Sequence, residues 1–139
     1  MLKITVLVVG KLREDYWKEA EREFLKRLTP YAKLQIIEVE STPVSDAADA
    51  ERSMKAEGER LLARVPDASY IVALERTGKR LSSEDFAKIL GREANGGGHV
   101  VLVIGGAAGL STEVLSAAKM KISLSDMTFT HEMARVFVM

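Results

Sequence analysis

The chain has 139 residues, 47% hydrophobic and 29% charged, which suits one domain with a single real core and excludes a disordered chain. Twenty basic residues balance twenty acidic ones, so no net charge draws it to nucleic acid; any RNA contact has to come from a local patch, a dimer groove or a preformed ribosomal surface. The absence of cysteine excludes disulfides and thiolate metal sites and fits the cytoplasm, and no apolar run approaches the roughly 20 residues that span a bilayer.

Ile4 to Val9 alternates as a first strand and lacks the basic start and small-residue cleavage site of a signal peptide. A helix follows from about Glu14 to Leu28, with Tyr16, Ala20, Phe24 and Leu28 spaced as its apolar stripe. Trp17 on this helix reads as core or interface packing ahead of base stacking, and Thr29-Pro30 ends the helix. Leu34 to Val39 is a second strand, broken by Ser41-Thr42-Pro43; Ala47 to Arg64 is a second helix with Met54, Leu61 and Leu62 inward. Tyr70 to Leu74 is a buried third strand, Arg76 to Arg80 a basic turn, and Ser82-Ser83-Glu84-Asp85-Phe86 opens a third helix with a capping pattern. After the loop Asn95 to Gly98, with His99 a structural residue, come a fourth strand from Val100 to Ile104, a short fifth near Lys121 to Leu124, and a last helix from about Thr130. Strands and helices in alternation predict one α/β domain, residues 1–139, with a mostly parallel sheet flanked by helices.

The most informative stretch is Val100 to Ser111. A β-branched run suited to a central strand enters a turn with three glycines, Gly105, Gly106 and Gly109, and Ser111 is placed to cap the next helix. Glycines let a ligand approach the main chain, and open α/β sheets bind ligands at the carboxyl ends of their strands. The P-loop pattern, the dinucleotide fingerprint and the hydrolase elbow are all missing. His99 and His131 are the two histidines, without metal-site spacing to another strong ligand, so no metal is expected. What remains is a small ligand held mainly by backbone groups.

Ile104-Gly105-Gly106-x-x-Gly109-Leu110-Ser111, then Ser123-Leu124-Ser125-Asp126-Met127-Thr128-Phe129-Thr130-His131, then Arg135-Val136, resembles the RlmH (YbeA-like) family of SPOUT-class methyltransferases. Val9-Gly10-Lys11-Leu12 and Gly78-Lys79-x-Leu81-Ser82-Ser83-Glu84-x-Phe86-Ala87 fit as well, so the resemblance runs in order along the whole chain. It implies an α/β domain with a C-terminal trefoil knot, a rare exception to unknotted topology. It also implies S-adenosylmethionine as cofactor and methylation of N3 of a pseudouridine in helix 69 of large-subunit (23S) ribosomal RNA. Partners would be the ribosome and a second copy of the chain, with no membrane. Carried over residue by residue, the cofactor contacts fall on Leu74, Gly105, Leu124, Ser125, Asp126, Met127, Thr128 and Phe129.

For the transfer, His131 and Glu132 are the nearest side chains able to take a proton, and Arg135 one turn on can hold a phosphate or the cofactor carboxylate. Plainer readings stand beside these: His131 as a helix-start residue, Arg135 paired with an acid at an interface, and Arg76, Lys79 and Arg80 as a solvated turn rather than a phosphate contact. The sequence departs from the family pattern at Glu75, where an aspartate is usual, and at Ala107, where a proline is usual. The family also continues past Val138 through a further helix and a tail ending in Tyr-His, a segment that threads the knot, packs the dimer and supplies catalytic residues. A chain ending at Met139 is expected to leave the knot incomplete, and the alternative function is a non-catalytic SPOUT-like protein that binds cofactor or ribosome.

Overall fold

The computed structural model describes residues 1–44 and 46–139. Its elements are β1 (Leu2–Val9), α1 (Asp15–Leu28), β2 (Ala32–Val39), α2 (Ala47–Leu62), β3 (Tyr70–Arg80), α3 (Ser83–Ala94), β4 (Val100–Ile104), α4 (Thr112–Ala117), β5 (Met120–Ser123) and α5 (His131–Phe137). The five strands form one sheet in the order β2-β1-β4-β3-β5, and every pairing is parallel. Parallel neighbours need crossovers, and the helices between strands supply them while covering both faces.

Alternation along the strands divides the core in two. Ile4, Val6, Val8, Val72, Val100, Leu102 and Ile104 face one way, packed with Phe86 and Leu90 of α3 and with Ala134 and Val138 at α5. Leu7, Val9, Ala73, Val101 and Val103 face the other, against Leu61 of α2 and Val114 of α4. Every residue of β4 is buried, as a central strand requires. Four helices begin at side-chain caps: Asp46 accepts from the Asp49 N–H, Ser82 from Asp85, Ser111 from Val114 and Thr130 from Met133.

Three readings of the sequence need correction. The half-buried face of α1 carries Trp17, Ala20, Glu21, Leu25 and Leu28, so Ala20 and Leu28 of the expected stripe face inward while Tyr16 is 62% and Phe24 38% exposed. On α2 the fully buried residues are Ser53, Glu57, Gly58 and Leu61, a half-polar face where an apolar one was expected. The segment Arg76 to Arg80 is not a turn but part of β3. Leu74 and Lys79 both pair with Ile122, so the strand bows out between them and returns to β5. Gly78 makes that return possible, because a Cβ there would stand 2.7 Å from the Lys121 carbonyl carbon.

Candidate functional site

The glycine turn after β4 is a four-residue reversal closed by the Gly109 N–H donating to the Gly106 carbonyl at 3.0 Å. Its three glycines are required for different reasons. A Cβ on Gly105 would lie 2.8 Å from the Gly109 backbone, so the turn's own closure excludes a side chain there, before any ligand does. Gly106 passes between Val9 and the Glu57 carboxylate, 3.1 and 3.2 Å from where its Cβ would be. Gly109 has φ +89°, a conformation that L-residues rarely adopt. Ser111, buried behind the turn, fixes the start of α4.

Opposite this turn, the segment after β5 is held by its own serines. The Ser123 hydroxyl donates to the Ser125 carbonyl at 2.7 Å, and the Ser125 hydroxyl accepts from the Met127 N–H at 3.0 Å. Between turn and segment lies a cavity of about 430 Å³, within the usual range for small-ligand sites. Leu74, Ile104, Leu110, Ile122 and Phe129 give it apolar walls, and Gly105 to Gly109 and Leu124, Ser125, Met127 and Thr128 bring main chain to its edge. It sits at the carboxyl ends of β3, β4 and β5, where an open parallel sheet binds ligands.

Of the residues expected at a cofactor site, Leu74, Gly105, Leu124, Ser125, Met127, Thr128 and Phe129 all line this cavity. Asp126 does not line it; its carboxylate pairs with Arg80 at 2.8 Å on the exposed rim, tying the segment to the returning part of β3. Glu75, Arg76, Ile122, Ser123 and Ala134 also line it, though sequence reasoning gave none of them a cofactor contact. The bow in β3 that brings Glu75 and Arg76 to the cavity has no local signal beyond Gly78.

His131 is the first residue of α5, exposed, and borders both this cavity and a second one on the β1–β2 side. Its Nε2 lies 3.8 Å from the position of a Cβ on Gly10, whose φ is +87°. Arg135, by contrast, is turned away from the cavity and buried at 5% exposure. Its guanidinium donates to Glu21 at 2.5 and 3.1 Å and to Glu38 at 2.6 Å. Burial lowers its pKa, but the hydrogen bonds to the two carboxylates outweigh that and hold it above its ordinary value. The expected acid partner therefore exists within the chain, on α1 and β2, and the geometry makes Arg135 the anchor of α5. Glu132 is engaged too, accepting the Arg13 N–H at 2.5 Å. His99 shares a 2.7 Å hydrogen bond with the Thr5 hydroxyl, far from the cavity, as a structural residue does. Among the described residues no group of three or more His, Asp or Glu is placed to hold a metal, and no helix is long and apolar enough to cross a membrane.

Residues 2–139 match the family described as "Predicted SPOUT methyltransferase". Three similar proteins are each named ribosomal RNA large subunit methyltransferase H. That of Carboxydothermus hydrogenoformans is 43% identical over 99% of this chain and 89% of its own length. That of Pelotomaculum thermopropionicum is 44% identical over 100% and 89%, and that of Halothermothrix orenii 42% over 99% and 89%. With the parallel sheet, the glycine turn and the loop opposite it in place, the chain belongs to the SPOUT methyltransferase family.

Proposed function

We propose that this chain uses S-adenosylmethionine to methylate N3 of a pseudouridine in helix 69 of large-subunit ribosomal RNA, acting as a homodimer in the cytoplasm. The observation that carries the reading is the cavity at the ends of β3, β4 and β5, built from the glycine turn and the Leu124 to Phe129 segment. Its residues fit such a cofactor: Leu74, Leu110 and Phe129 offer apolar surface for an adenine, and the main chain of Gly105, Leu124, Ser125, Met127 and Thr128 offers polar contacts for the rest. The names of the relatives support ribosomal RNA as the substrate.

When bound, S-adenosylmethionine supplies a sulfonium methyl that is already activated, so the protein's task is positioning and removal of a proton. His131 is placed for the second part, since it is exposed at the cavity mouth while Glu132 is held by the Arg13 backbone. Asp126 orients its segment through Arg80, and Arg135 acts on the site only by holding α5, hence His131, against α1 and β2. The dimer reading comes from the family resemblance and is supported by an apolar face exposed among the described residues. Tyr16, Trp17, Phe137 and Phe129 make a run of edge-to-face ring contacts, with Tyr16 62% and Phe137 52% exposed. A second copy would cover it.

The test is transfer of a labelled methyl group from S-adenosylmethionine to large ribosomal subunits lacking this modification, with the product nucleoside identified by mass spectrometry. One methyl per subunit on N3 of a helix 69 pseudouridine is the expected result. Donor binding without transfer would instead assign the chain a binding role.

A further inference from the structure

β3 leaves regular strand geometry where it meets the cavity beside the glycine turn. Leu74 and Lys79 both pair with Ile122 of β5, so the residues between them swing out of the sheet and rejoin it. Gly78 and the Arg80–Asp126 ion pair fix the returning limb. Successive side chains of a regular strand point to opposite faces, but in this bow Glu75 and Arg76 line the same cavity. Among its lining residues these two alone carry fixed charges, and the charges are opposite. Neither is neutralised by the other or by a third group. One Glu75 oxygen, Oε1, accepts from the Thr77 N–H and hydroxyl, each at 3.3 Å, while Oε2 has no hydrogen-bond partner among the described residues. The Arg76 guanidinium makes no hydrogen bond or ion pair with any of them. Glu75 is half-buried and Arg76 exposed.

We propose that Glu75 and Arg76 form the subsite for the amino-acid end of the methyl donor, Glu75 taking its α-ammonium and Arg76 its α-carboxylate. The inference rests on the S-adenosylmethionine reading above, and it adds the means by which the donor's tail is recognised. That donor has three chemically different parts. The adenine has apolar faces, the ribose offers neutral hydroxyls, and the tail bears one positive and one negative charge on a single carbon. Apolar walls suit the first and main-chain groups the second. The tail differs, because a charge drawn out of water loses far more hydration than a neutral group and needs an opposite charge in return. Arginine presents a planar fork that matches a carboxylate, and a carboxylate accepts hydrogen bonds from an ammonium. Two neighbouring residues of opposite sign, each with unused hydrogen-bonding capacity, meet both demands at once, and the bow in β3 is what puts them side by side.

The experiment measures binding by calorimetry to the parent chain, to Glu75→Gln and to Arg76→Gln. The probes are S-adenosylmethionine, its decarboxylated form, S-adenosylhomocysteine and methylthioadenosine. The last two are both uncharged at sulfur and differ only in the tail, whereas the first two differ only in the carboxylate. In each comparison the parent is expected to bind the complete tail about tenfold or more tightly than the truncated one. Arg76→Gln should weaken S-adenosylmethionine and S-adenosylhomocysteine about tenfold and leave the two probes without a carboxylate unchanged. Glu75→Gln, whose amide oxygen still accepts from Thr77, should weaken every probe that carries the ammonium and leave methylthioadenosine unchanged. Residues that only shape the bow would weaken all the probes alike. That result, or variants that keep the parent's preferences, would overturn the proposal. If Glu75→Gln does not fold, Arg76→Gln, at an exposed residue, decides it. A folded parent that binds none of the probes would remove the donor reading and this one with it, whereas binding without preference for the tail removes only this one.

Discussion

Arg135→Met tests how α5 is held in place. The side chain is 6% exposed, and it neutralises Glu21 at 13% and Glu38 at 33% exposure through three hydrogen bonds. Methionine fills similar volume but strands two carboxylates next to each other. Breaking a buried ion pair by removing one partner costs about 3–5 kcal/mol. Glu38 keeps some hydration, which places the expected loss near the lower end, about 3 kcal/mol, against a total stability on the order of 5–15 kcal/mol. For a domain of this size that is a drop of roughly 10 °C in melting temperature. α5 has seven residues and is too short to be stable alone, so its loosening also moves Phe129 and His131 and weakens donor binding. Urea unfolding by circular dichroism measures the first effect. The triple variant with Glu21→Gln and Glu38→Gln should recover most of the loss, because the penalty lies in the unpaired charges. A single variant within about 1 kcal/mol of the parent would refute the reasoning, since that is the value of an exposed pair.

Three further outcomes follow from particular residues. Ala107 is the second residue of the turn closed by Gly109 and Gly106, and neither it nor Ala108 has a positive φ, so proline suits this position. Ala107→Pro should stabilise by about 0.4–1 kcal/mol in urea unfolding, and a loss of stability would contradict the turn geometry. Gly58→Ala gains helix propensity but sets its Cβ on the Ser111 hydroxyl and 3.3 Å from Val114 Cγ2. Because Ser111 is the buried cap of α4, the clash wins and the variant should lose about 1–3 kcal/mol; a stabilised variant would show that α2 and α4 pack less closely. His99 is held below its ordinary value near 6.5, first by burial and then by Lys3. The unfolded chain binds more protons just below pH 6.5, so stability falls as the pH drops through that value toward the folded-state pKa. His99→Gln should lack this part of the acid loss when unfolding is compared at pH 7.5 and 5.5, and an identical pH dependence would count against it.

Much of the frame is legible because local signals and tertiary roles agree. The run Val100 to Ile104 reads as central strand and is fully buried, and Ser82, Ser111 and Thr130 stand where their helices start. The reading fails where a charge is buried by a distant partner. Glu21 faces inward on α1 because Arg135, 114 residues away, meets it, and a hydrophobic stripe drawn through Tyr16 and Phe24 therefore misses the buried face. Glu57 is hidden for the same reason, its role set by Thr42 and the glycine turn rather than by its neighbours in α2. Of the cofactor residues implied by resemblance, Asp126 alone stands outside the cavity lining, paired across the rim with Arg80. The basic run Arg76 to Arg80 has turn chemistry, yet Gly78 allows it to rejoin β5 as strand.

The measurement that bears most directly on the account is titration of the 15N-labelled chain with S-adenosylmethionine by NMR, with calorimetry on the same sample. Saturable binding with amide shifts concentrated at Leu74, at Gly105 to Gly109 and at Leu124 to Phe129 is the predicted result. A folded sample that shows no saturable binding, or shifts centred elsewhere, would contradict the assignment of this cavity to the methyl donor.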